Sequence, residues 1–196
     1  MQEENFSQQD SLRLINEMIG KAKKSYVTKG TASIVWGSLI VLCSMITWAE
    51  IKFKLHMPFD IWLLLLLALI PQIYFSVKER RSKSFKSHDE STIYFIWITF
   101  AVCIFILSFY NSKFGSSNST TLVMMLYGIP TFLTGGVCRF RPMILGGLCC
   151  WALSIASIYT APENDMLLMA ASGLAAWLIP GVILFNRYQK QRRANV

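Results

Sequence analysis

The chain has 196 residues, 54% hydrophobic and 15% charged, with a net charge of +8. Soluble domains carry about 25% charged residues, so the balance points to a membrane protein and away from a soluble enzyme or binding module. The five cysteines, at 43, 103, 138, 149 and 150, form no CxxC pair and lie in or beside apolar runs, which excludes a disulfide framework.

Residues 1–30 are polar and contain no short apolar core followed by a small-residue cleavage site. No cleavable signal is expected, so the first spanning helix must direct insertion. Within this segment SLRLINEMIGKAKKSYV, residues 11–27, places Leu12, Ile15, Met18, Ile19, Ala22 and Tyr26 at helical spacing. Those side chains fall within an arc of about 120°, and Arg13, Glu17, Lys21 and Lys24 gather opposite. The expectation is an amphipathic helix lying in the lipid interface, anchored by its lysines. The alternative is a docking helix for a cytosolic partner or for the inner ends of the bundle.

A helix needs about 20 mostly apolar residues to cross the hydrocarbon core, at ~1.5 Å per residue. Six stretches qualify: 31–49, 61–77, 92–110, 121–138, 142–160 and 166–185. None contains Asp, Glu, Lys, Arg or His. The expected fold is therefore all-α and polytopic, a six-span bundle over residues 31–185 with a basic tail at 186–196. Sixteen of the 19 Lys and Arg residues lie before span one, between spans two and three, between four and five, or after six; the alternate loops hold only Lys52, Lys54 and Lys113. By the positive-inside rule both termini face the cytoplasm. Seven acidic residues on that side leave it at +9, beside a leaflet whose anionic lipids attract it. Membrane lipid is the expected partner, and nucleic acid is not, because no recognised nucleic-acid module is present.

The polar residues at span ends read as helix caps. Ser87-His88-Asp89-Glu90 before span three has the capping-box pattern rather than that of an acid/base cluster. Asp60 before span two, Glu163, Asn164 and Asp165 before span six, and Ser119 or Thr120 before span four are expected N-caps. Asn118-Ser119-Thr120 also matches a glycosylation acceptor, a short match attributed to chance. The spans themselves offer hydroxyls, thiols and Gln72, which serve mostly to bond backbone or neighbouring helices. Cys149 and Cys150 point about 100° apart on a helix and read as small buried thiols, not a shared metal site. Intramembrane catalysis and haem ligation call for buried ionisable groups, so no catalytic, cofactor or metal residue is assigned.

Pro71, Pro130 and Pro180 each follow an isoleucine in an even-numbered span, near its inner half, and are expected helix kinks. Trp36, Trp97 and Trp151 occupy the odd spans, so three hairpins, 31–77, 92–138 and 142–185, have the look of an internal repeat. Kinked even helices would frame a cavity lined by Gln72, Tyr127, Thr131 and Thr134. Gly135-Gly136, Gly146-Gly147, Ala152 with Ala156, Ala171 with Ala175 and Ser172 with Ala176 make small faces that draw spans four to six together. The same faces would serve a homo-oligomer.

MIGKAKKSY, the IVWG of span one, IPQIYFS, YGIPTFLTGG and WLIPGVILFNRYQKQ together resemble small six-helix integral membrane proteins of Bacteroidota. The resemblance covers nearly the whole chain and implies six spans and a cell inner membrane location. It implies no activity, ligand or site residue. The expected function is non-enzymatic, that of a regulatory, sensory or assembly partner with a basic cytoplasmic face and a protein contact through residues 11–27. The first rival is a permease or pore for a small neutral or apolar solute; the second is a lipid-acting enzyme, which needs an acidic or histidine pair at one membrane face.

Overall fold

The computed structural model describes residues 8–54, 58–65, 67–70, 72, 88–115 and 118–194. Among them every regular element is helical: α1 (Gln8–Phe53), α2 (His88–Phe114), α3 (Ser119–Val137), α4 (Arg141–Ile158), α5 (Pro162–Gly173), a π-helical turn (Leu174–Leu178) and α6 (Ile179–Ala194). Five stretches are long and apolar enough to cross a membrane: Gly30–Phe53, Ser91–Phe114, Ser119–Val137, Arg141–Ile158 and Glu163–Arg187. They match the first and the third to sixth expected spans. In the second, residues 63–65, 67–70 and Gln72 are helical. Pro71 and residues 73–77 lie outside the described residues, as does Ser87 of the expected capping box.

The amphipathic segment is not a separate element. It is the first half of α1, a single helix of 46 residues, about 69 Å long at the usual rise. No proline interrupts it, and a glycine at position 20 or 30 weakens a helix by only about 1 kcal/mol. The segment thus continues into the span as one α-helix.

The helices are arranged so that α3 lies along α4, α4 along the π turn and α5, and the last three elements along α1, with α2 packed on α3. Burial follows that order. The most apolar 18-residue stretches of the last three spans are 44%, 33% and 39% buried, against 22% for the first span and 6% for α2, so the expected tight half of the bundle is the tight half. In the α3–α4 seam a Cβ on Gly135 would stand 2.7 Å from the Ile144 nitrogen, and one on Gly147 2.8 Å from Phe132 Cβ. Gly136 has open space around it and takes no part.

The α3–α4 turn follows from its hydrogen bonds. Phe140 N–H donates to Gly135 O (2.8 Å) and Arg139 N–H to Gly136 O (3.1 Å), the paired bonds of a Schellman motif. The motif demands a left-handed residue after the cap, and Arg139 supplies it at φ 50°, a conformation that costs a non-glycine residue roughly 1–2 kcal/mol. Pro142 follows in the first turn of α4, as expected. The Arg187 guanidinium, near the end of the last span, lies 5.7 Å from the Phe140 ring and braces the two ends together.

Capping differs from the sequence expectation at two starts. Asn118, not Ser119 or Thr120, holds the N-cap position of α3, without a side-chain cap bond. Helix α5 begins at Pro162, with Ala161 at its N-cap, so Glu163, Asn164 and Asp165 lie inside the first turn or just beyond it rather than at the cap. Proline presets the helical φ and needs no donor there, which lets the helix start early. Asp60 behaves as expected: its Oδ1 accepts from Trp62 N–H at 3.0 Å.

Candidate functional site

The prolines disturb their helices in different ways. Pro130 sits inside α3, which stays α-helical throughout. Pro180 follows the π turn, in which Ile179 N–H donates five residues back to Leu174 O. An α-helix would ask Pro180 for an N–H it lacks and push its ring against the Ala176 carbonyl; one extra residue in the preceding turn relieves the clash. Glycines on two sides accept the widened backbone. A Cβ on Gly146 of α4 would lie 2.6 Å from Ala175 O, and one on Gly37 of α1 2.8 Å from the Leu178 nitrogen. The added residue also turns the side chains before it by about 100° relative to α6.

One of those side chains is Trp177, which the turn carries into the middle of the bundle. Its ring meets Trp97 of α2 edge-on, centroids 4.9 Å apart, and lies nearly parallel to Tyr127 of α3 at 6.1 Å. Phe100 of α2 touches Tyr127 at 5.9 Å. Ile40, Met124, Cys150, Met169 and Ala176 complete the buried core around Tyr127, with Trp62 and Leu65 from the start of the second expected span packed against it.

Two polar atoms in this cluster have no partner among the described residues: Tyr127 Oη and Trp177 Nε1. Thr134, Ser44 and Thr47 also carry buried hydroxyls without partners. The two groups differ in kind, because a Ser or Thr on a helix reaches its own backbone four residues earlier by a rotation of χ1. Thr131 does so here, donating to Tyr127 O at 2.8 Å, and Ser38 and Thr99 do the same elsewhere. A Tyr hydroxyl or Trp indole has no such recourse. Each buried unpaired group is unfavourable by about 1–3 kcal/mol, and native structures retain few.

Of the expected cavity residues, Tyr127, Thr131 and Thr134 share one face of α3 and are 5%, 0% and 7% exposed. They belong to the packed core in this structure. Gln72 is helical and half-buried, and no described contact brings it to them. The cysteine pair divides: Cys150 is buried and its thiol donates to Ser172 O at 3.8 Å, whereas Cys149 is exposed. Trp97 and Trp151 have dissimilar surroundings, the latter donating to Met125 O at 3.2 Å.

A second polar cluster was not expected. Asp165 is only 6% exposed, so the reading that no ionisable side chain is buried fails at this position. Ser157 Oγ donates to Asp165 Oδ1 at 2.9 Å, and Thr160 Oγ1 lies 3.3 Å from the same oxygen. Ser157 has one proton and gives it to the carboxylate, so its 2.6 Å contact with Thr121 Oγ1 is donated by Thr121. Ser154 Oγ donates to Thr121 O at 3.0 Å. Hydroxyls from α3, α4 and the α4–α5 connection thus point one after another toward one carboxylate near the start of α5, where the helix dipole also favours negative charge. Sequence reading missed it because the cap assignment used up Asp165. Ser154, Ser157 and Thr160, three residues apart and running to the end of α4, were the available signal.

Among the described residues the fold is all-helical, with five helices long and apolar enough to cross a membrane. No protein-family model, curated protein or solved structure matches the chain. Among the described residues no group of three or more His, Cys, Asp or Glu is placed to hold a metal ion.

Proposed function

We propose that the chain is a six-span integral protein of a bacterial inner membrane, with both termini cytoplasmic, that acts as a regulatory, sensory or assembly partner of another protein. The observation that carries this reading is the unbroken α1. About 22 of its residues precede the span, roughly 33 Å of helix continuous with it, which offers a rigid amphipathic element long enough for a protein contact. An amphipathic helix is a recognised docking element for a partner's groove.

The last helix supports the reading from the same end. Gly30 of α1 lies against Leu184, and Gly181 of α6 against Ile34 and Ser33, so the two helices leave the bundle side by side. Helix α6 continues to Ala194, beyond the span that ends at Arg187, and carries Lys190, Arg192 and Arg193. Basic residues concentrated there fit the cytoplasmic side. The orientation and the inner-membrane location rest on charge alternation and on the Bacteroidota resemblance; the role does not require the three hairpins to be copies of one another.

Affinity capture from mild detergent, comparing the full chain with a variant lacking residues 1–27, tests the role. A specific protein retained by the full chain and lost by the deletion, with both variants inserted, is the expected result. A partner held equally by both, or none by either, sinks the proposal. The permease reading draws on the shared interior face of Tyr127, Thr131 and Thr134, and solute flux into proteoliposomes would favour it instead.

A further inference from the structure

Tyr127 is the ninth of 19 residues in α3, and Trp177 the fifteenth of 25 in the last span. Both therefore lie near mid-span, where a crossing helix is farthest from water. Their rings touch, lie within 27° of parallel, and carry the two buried donors that no rotation can pair with their own helix. Such a pair calls for an acceptor from outside the described chain. A trapped water needs two to four polar partners, and the hydrophobic residues of the cluster add only the weakly accepting sulfurs of Cys150, Met124 and Met169. Ester carbonyls of acyl lipids lie about 15 Å away, at the edge of the hydrocarbon core.

We propose that this cluster binds a lipid-soluble planar carbonyl compound of the quinone class, whose oxygens accept hydrogen bonds from Tyr127 Oη and Trp177 Nε1. A flat ring with carbonyls on its rim suits both features of the site, the aromatic walls and the donors. It also dissolves at mid-bilayer depth. The route in is beside α2, which contributes Phe100 and Trp97 and is the least buried of the candidate spans. Met124 and Met169, unbranched and adaptable, line the cluster and can repack around a guest. Binding here involves no electron transfer and requires no partner docked on α1.

The test uses the purified full chain in detergent, with decylubiquinone as the probe and decylbenzene, which lacks carbonyls, as the control. Decylubiquinone should quench tryptophan fluorescence saturably and raise the melting temperature; decylbenzene should do neither. Tyr127→Phe should weaken decylubiquinone binding about tenfold, the usual size of one lost buried hydrogen bond. Without ligand the same variant should melt at or above the wild-type temperature, because it loses an unpaired hydroxyl. Three results would overturn the proposal: no saturable binding by wild type, equal effects of the two compounds or the two proteins, or a ligand-free Tyr127→Phe that melts lower. The last would mean that the hydroxyl already has a partner within the chain.

Discussion

At the Asp165 end, five polar side chains from three helices and a connection bond to one another and to backbone; about 9 Å deeper along α3, Tyr127 and Trp177 hold buried donors with nothing to receive them. The same helices build both regions, so packing alone does not explain the contrast. Self-satisfied polar atoms fix three helix ends in place. Unsatisfied ones leave the middle ready for something else. The polarity of a buried site therefore says less about its role than whether its donors and acceptors balance.

That contrast predicts opposite signs for removing a polar group. Asp165→Ala should have the largest effect, lowering stability by about 2–3 kcal/mol, because Ser157 and Thr160 lose a charged acceptor while Ser157 stays buried. Thermal unfolding in detergent reads it, and an unchanged melting temperature would break the clamp interpretation. Ser157→Ala should lower stability by about 1–2 kcal/mol, since it interrupts the chain between Thr121 and Asp165. In the middle, Trp177→Phe should leave stability unchanged or raise it by up to about 1 kcal/mol, the lost ring area offsetting the relief of an unpaired donor. A fall of the Ser157→Ala size would make the two regions alike. The smallest effect is expected at the α3–α4 turn. Arg139→Gly removes a left-handed strain of roughly 1–2 kcal/mol and adds chain entropy worth roughly 0.5–1, a net gain near 0.5 kcal/mol.

Much of the helical frame was legible in the sequence because membrane constraints act on composition, residue by residue. Apolar runs mark five spans that the structure also contains, and Pro142 was readable as a helix start. The small-residue faces pointed to the tight half of the bundle. What escaped were features set by register. Asp165 abuts an apolar run and has the chemistry of a cap, so only the start of α5 at Pro162 reveals that it turns inward. Pro180 announced a disturbance, but that a π turn forms there while the helix at Pro130 stays α-helical is visible only in the structure. Trp177 gave no signal of its own. Its direction follows from the extra residue in that turn.

The length of α1 has a mechanical side. A stiff rod packed in the bundle over 24 apolar residues and continued by another 22 converts small motions of the first part into larger ones at its far end. A tilt of about 10° in the span would sweep the far end through about 6 Å, more than the pitch of a helical turn. Gly37 grips the π turn near the pivot of that rod. Any repacking around Trp177 therefore acts close to the fulcrum, where the least displacement gives the greatest travel at Gln8.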